Sequence, residues 1–231
     1  MDQPLSQRVV AITGAFGNLG QVLAEMAASQ GARLVLIDHA SSERHSSADC
    51  LLLPDTDLTS STACQAVAAR IEEHFGRLDA LVNVAGGFAW EPVQGGDVET
   101  WDRLYALNLR TALLTTQALL PLIRRSDAGR IVNLGAGAAA KAGLGMGAYA
   151  ASKAGVMRLT ESLAEELKDQ GVTVNAVLPS IIDTPQNRAA MPEAPFDRWV
   201  TPQQLAAVIL FLLSDAACAI SGAAIPVSGR V

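Results

Sequence analysis

The stretch "RVVAITGAFGNLG", residues 8–20, runs a short β-branched segment directly into a turn with glycines at positions 14, 17 and 20. "RVVAI" has the composition of a buried strand, and an amphipathic helical pattern starts at Asn18 and stops at Gly31. The chain must turn sharply between the two. Glycine has no Cβ, so its backbone makes such a turn easily and lets another group approach closely. The free N–H groups at the start of the following helix then favour an anion in the turn. Alone this spacing is weak, since glycine-rich turns also serve structure only.

The next strand strengthens it. "RLVLID" ends on Asp38, eighteen residues past Gly20. Strand, glycine turn, helix, strand and acid in this order form the fingerprint of a dinucleotide site. A carboxylate there accepts hydrogen bonds from the adenosine ribose hydroxyls and repels a 2′-phosphate. Asp38 therefore favours NAD(H) over NADP(H). NADP(H) stays open, because Arg44 is close in sequence. The plainer alternative for Asp38 is a carboxylate that caps its own loop.

Beyond this unit, short apolar runs keep alternating with helical patterns. "CLLL", "DALVNVAG", "RIVNL", "VTVNAVL" and "AAIPV" predict further strands. Helices are predicted over residues 60–75, 98–124, 147–170 and 203–214, the second of them interrupted near Pro121. The fold class is α/β. It is a single Rossmann-type, doubly wound parallel sheet of about seven strands with helices on both faces. No linker or composition shift divides residues 1–231, so one domain is expected. Residues 179–202 carry five prolines and no periodicity. A loop of that length in a compact domain is more often functional than idle, and a lid over the site is expected there.

Bulk properties exclude several functions. Among 231 residues, 17 are Lys or Arg and 23 are Asp or Glu, for a net charge of −6. There is no basic run, so neither nucleic acid nor an anionic membrane surface is an expected partner. Cys50, Cys64 and Cys218 make no metal-ligand spacing with the three histidines, and reduced thiols are expected. The N-terminal residues do not read as a signal peptide, and the longest apolar run, "LAAVILFLL", is too short for a bilayer. A cytoplasmic location follows as an expectation.

The chemistry is carried by "NLGAGAAAKAGLGMGAYAASK", residues 133–153. Tyr149 and Lys153 stand four residues apart and share a helical face. A nearby ammonium favours the phenolate and lowers the tyrosine pKa from about 10, which suits proton transfer near neutral pH. Such a pair is common by accident. In the same chain as a dinucleotide loop it is not read as one.

The whole chain resembles the short-chain dehydrogenase/reductase family. The resemblance rests on "TGAFGNLG", Asp38, "DLT" at 57–59, "NVAGG" from Asn83, Asn108 in "LYALNLRT", "IVNL", "YAASK" and "VNAVLP". It implies a catalytic group of Tyr149 as acid/base, Lys153 lowering its pKa and holding the nicotinamide ribose, and Asn108 holding a water in a proton relay. It also implies dinucleotide contacts by Gly14, Phe16, Gly17, Asn18, Leu19, Asp38, Asp57, Leu58, Asn83, Ala85, Gly86, Tyr149, Lys153, Pro179, Ile182 and Thr184, with no metal. Homodimers or homotetramers are implied through the helices at 98–124 and 147–170.

The family's serine, expected thirteen residues before the tyrosine, falls on Ala136. Asn18 stands where most single-domain members have glycine. Losing the serine removes a donor aimed at developing oxyanion charge, which costs an ordinary ketone dearly. An electron-poor substrate suffers less. The branch of dihydropteridine reductases also lacks that serine, and residues 172–202 and "VAGGF" resemble it. A small, flat, activated substrate is the expectation. A plain ketone, alcohol or 3-oxoacyl thioester, or a dinucleotide sensor without turnover, are the alternatives. Phe88, Trp90, Phe196 and Trp199 lie in the loops expected to flank the nicotinamide, where they either stack on a ring or pack the loops.

Overall fold

The structure is a computed structural model that describes residues 4–43 and 45–231. Arg44, invoked above for cofactor choice, lies outside the described residues. Seven parallel strands form one sheet in the order β3-β2-β1-β4-β5-β6-β7. They are β1 (Val9–Thr13), β2 (Arg33–Ile37), β3 (Cys50–Leu53), β4 (Ala80–Asn83), β5 (Arg130–Leu134), β6 (Thr173–Pro179) and β7 (Ala224–Val227).

The strands are apolar throughout because both faces are covered. Along β1, Val10 and Ile12 join a cluster with α1 (Asn18–Ser29) and α7 (Pro202–Leu213), while Val9 and Ala11 face the opposite cluster. That second cluster draws on α2 (Ser61–Phe75), α4 (Thr111–Ile123) and α5 (Gly147–Leu167). Period-two alternation thus sends neighbouring side chains into two separate cores. Among the described residues, no helix is long and apolar enough to cross a membrane.

Two expectations are corrected. The helix expected over residues 98–124 is α3 (Val98–Tyr105) and α4 joined by a π-helical segment, Ala106–Arg110. Pro121 sits within α4 and does not end it. The widened turn falls instead around Asn108, in keeping with the tendency of π-bulges to mark functional sites. Residues 179–202 are also less irregular than expected. They contain α6 (Pro185–Ala190) and a 3₁₀ turn, Phe196–Arg198. Thr184 caps α6 by accepting from Asn187 N at 3.2 Å, and Pro185 sits at the start. That Thr-Pro pair was a legible start signal; at six residues the helix is too short to show a period. The segment is pinned at its base, where Asp183 N donates to Val200 O and Val200 N to Ile181 O.

β1 and β4 are neighbours whose chains leave in opposite directions, to β2 and to β5. The crevice at their C-terminal ends is the topological switch point, where ligands bind in sheets of this kind.

Candidate active site

A cleft of about 710 Å³ opens at this switch point. The glycine turn supplies one wall through Gly14, Phe16, Gly17, Asn18 and Leu19. Asp38, Asp57 and Leu58 close one end, and Ala85 and Gly86 form the other side. Gly14 has φ +63°, and a Cβ there would sit 2.9 Å from Ala85 N. Only glycine lets the two strand ends approach this closely. A Cβ on Gly20 would lie 2.2 Å from Gly14 O, so the third glycine seats α1 against the turn.

The site fits a diphosphate on its own geometry. α2, α6 and α7 are capped by the side chains of Ser60, Thr184 and Thr201. α1 begins at Gly17 with no side-chain cap and no acid in its first turn. Its orphan N–H groups and the positive end of its dipole therefore face the cleft unspent.

Asp38 takes the loop-capping role weighed from the sequence, at the border of the cleft. One carboxylate oxygen accepts Phe16 N at 2.8 Å and the other Ala40 N at 2.9 Å. It ties β2 to the glycine turn and also borders the cleft. Asp57 is held below the usual carboxylate range by hydrogen bonds from the Thr59 hydroxyl and backbone. The Asn83 side chain points away from the cleft, donating to Asn133 Oδ1 at 2.9 Å and Thr116 Oγ1 at 3.2 Å. Its amide nitrogen is spent on these two bonds, and its buried Oδ1 has no protein hydrogen-bond partner among the described residues.

Tyr149, Lys153, Pro179, Ile182 and Thr184 do not line the cleft proper. Lys153 adjoins it: a Cβ on Gly86 would lie 3.4 Å from its Nζ and 2.6 Å from Asn108 Oδ1. Lys153 is buried and donates to Leu134 O at 2.7 Å. Burial pushes its pKa down to about 8. Tyr149 lies under the ring of Phe88, edge to face, with centroids 5.0 Å apart. The expected lowering of its pKa is not found. Burial pushes the phenol up to about 12, and the ammonium is engaged with Leu134 O. Desolvation outweighs the cation, so Tyr149 holds its proton, as a proton donor must.

The lysine shift has a consequence for stability. Between about pH 8 and 10 the unfolded chain keeps a proton on residue 153 that the folded chain has released. The unfolded state then binds more protons, so this group adds stability as pH rises through that window. The Tm of the parent minus that of Lys153→Met is expected to grow between about pH 7 and 10. A constant difference would contradict the buried, easily deprotonated lysine.

Of the four loop aromatics, Phe88 meets Tyr149, and Trp90 covers the backbone of Gly145. Trp199 is buried and pairs with Phe196 at 4.9 Å, so these two pack their loop. Ala136 is buried at the end of β5, next to the 3₁₀ turn Gly137–Ala139 that packs on α5. The hydroxyl nearest in sequence after Tyr149, that of Ser152, donates to Tyr149 O at 2.7 Å. It does not replace the missing serine.

The sequence profile described as short chain dehydrogenase matches residues 8–194. The chain belongs to the short chain dehydrogenase family. It is an oxidoreductase of that family, whose members work with NAD or NADP. It is 32% identical to 2-(S)-hydroxypropyl-CoM dehydrogenase 3 of Xanthobacter autotrophicus, over 99% of this chain and 98% of that one. Identity is also 32% to the 3-oxoacyl-[acyl-carrier-protein] reductase of Vibrio cholerae, over 97% of each. Its fold superposes on a short chain dehydrogenase of Shigella flexneri complexed with NADP. The TM-score is 0.88 at 26% identity, covering 98% of this chain and 99% of that one.

Two residues of this short chain dehydrogenase were not singled out from sequence. Gln186 on α6 accepts from Asn18 Nδ2 at 2.8 Å, so the segment 179–202 reaches back to the glycine turn. Asn18 replaces the glycine usual at its position, and the substitution was the available signal. Ser152 is the other, a hydroxyl one residue before the lysine on a buried helix face. Losing an exposed hydrogen bond costs about 0.5–1.5 kcal/mol. Gln186→Ala is therefore expected to speed dinucleotide release roughly two- to tenfold in stopped-flow fluorescence. An unchanged rate would show that this contact does not restrain dinucleotide release.

Proposed function

We propose that this short chain dehydrogenase is an NAD(H)-preferring reductase of a small, flat, electron-poor substrate, with Tyr149 as acid/base. The observation that carries the substrate class is Ala136, a methyl group where a polarising hydroxyl would stand. The aromatic edge of Phe88 against Tyr149 supports a flat partner. A quinonoid ring or conjugated imine already bears the electron deficiency that the absent donor would create. The likeness of residues 172–202 to the dihydropteridine reductase branch supports the same reading.

The cleft residues divide the work. Gly14, Gly17 and the N-terminus of α1 would hold the diphosphate, and Asp38 the adenosine ribose. Asp57 and Leu58 would border the adenine. Backbone groups at Asn83, Ala85, Gly86, Pro179 and Ile182, with the Thr184 hydroxyl, would hold the nicotinamide end. NADH, when bound, would supply the hydride. Tyr149 would give its proton to the substrate atom that gains charge, and Lys153 would order the ribose and restore the proton. The Asn108 side chain is spent on Gly87 and Ser152. Both of its amide hydrogens are engaged, which leaves none for a relay water.

NADH oxidation screened against quinonoid dihydropterin, quinones, diketones and 3-oxoacyl thioesters tests the substrate class. The electron-poor rings are expected to react fastest. A leading 3-oxoacyl thioester would instead assign the activity for which the Vibrio relative is named. For the cofactor, NADH is expected to bind more tightly than NADPH, and Asp38→Ala to narrow the gap by removing repulsion of the 2′-phosphate. Equal affinities in the parent, measured by fluorescence titration, would overturn the preference.

A further inference from the structure

Asn108 is buried in the π-helical segment, and its amide makes three hydrogen bonds. Oδ1 accepts Gly87 N at 2.8 Å. Nδ2 donates to Gly87 O at 3.0 Å and to Ser152 Oγ at 2.9 Å. The Ser152 hydroxyl, also buried, donates in turn to Tyr149 O at 2.7 Å. A serine bonded to a carbonyl three residues back on its own helix is common and says little. The bond it receives from Asn108 is different, because it joins two elements far apart in sequence.

We propose that Ser152 is a positioning residue for the reaction. Through Asn108 it fixes the loop of Gly86, Gly87 and Phe88 against the turn of α5 that carries Tyr149 and Lys153. The inference rests on Tyr149 being the acid/base. Gly87 lies between Gly86, which abuts Lys153 Nζ, and Phe88, whose ring lies on Tyr149. Pinning both backbone groups of Gly87 therefore sets the floor beside the lysine and the wall beside the phenol together. Without the Ser152 oxygen one N–H of a buried amide has no partner, and such a group is costly to leave unmade. The amide then turns or tilts to find another acceptor, and the Gly87 loop moves with it. A misplacement of about 1 Å at reacting groups costs on the order of 10²-fold in rate.

The test compares Ser152→Ala, Ser152→Thr and Tyr149→Phe in the full chain. It measures kcat and KM on the best substrate from the screen, and dinucleotide Kd by fluorescence. Ser152→Ala is expected to lower kcat about tenfold or more. Its Kd should change much less than kcat, since the glycine turn and Asp38 are untouched. Ser152→Thr restores the hydroxyl and should recover most of the loss. Ser152→Cys, which keeps the volume and weakens the hydrogen bonds, takes the place of alanine if that variant does not fold. Parent-like kcat in the alanine or cysteine variant overturns the proposal, as does an equal loss of kcat in the threonine variant. Parent-like activity in Tyr149→Phe would instead sink the acid/base reading on which it rests.

Discussion

Tyr149→Phe should lower substrate reduction by about 10²–10⁴-fold, the usual worth of a positioned acid/base. The substitution keeps the ring, so the edge-to-face contact with Phe88 survives. What it removes is the proton. In the described residues the Tyr149 hydroxyl has no protein partner, and burial holds its pKa near 12. Phenylalanine therefore leaves no buried group unsatisfied, and dinucleotide affinity should change less than about twofold. Steady-state rates and fluorescence titration together separate these effects. A variant as active as the parent on every reducible substrate would remove Tyr149 from the acid/base role.

Ala136→Ser should raise the rate on a plain ketone by about 10²–10³-fold and change that on a quinonoid ring little. One oxyanion donor is worth that much when the charge it meets appears only in the transition state. In an electron-poor ring the charge spreads over the conjugated system, so a single donor contributes less. The backbone at Ala136 is extended, a conformation that serine adopts freely. The site is tight, with Ala136 only 5% exposed, so an added hydroxyl crowds a bulky flat ring. Rates of both variants and parent on both substrate classes decide it. Equal acceleration of both classes would show a handicapped general reductase and remove the case for an activated substrate.

The sheet was legible because its information is local. Each strand is a short apolar run bounded by breakers, and buried parallel strands need no other pattern. The glycine turn and Asp38 were legible because their spacing reflects backbone geometry, which the φ of Gly14 and the contacts of Gly20 bear out. What could not be read depends on neighbours distant in sequence. The π-helical segment at Ala106–Arg110 looks like ordinary helix in composition. α6 shows only its cap. The Tyr149 pKa goes the opposite way from the local pair rule, because Lys153 is drawn to Leu134 O and burial dominates. Asn83 illustrates the same limit, since its place in the motif suggested the cleft while its side chain bonds Asn133 and Thr116 behind it.

The most direct measurement follows the hydride itself. The parent protein is given NADH, or NADH deuterated at the transferring carbon, with either a quinonoid dihydropterin or a plain cyclic ketone, and the rate of NADH oxidation is read. The expected result is oxidation by the dihydropterin at least about 10²-fold faster than by the ketone, the size of one missing oxyanion donor. Oxidation by the ketone as fast as by the pterin, or by neither, would contradict an activated-substrate reductase built around Tyr149 and Ala136.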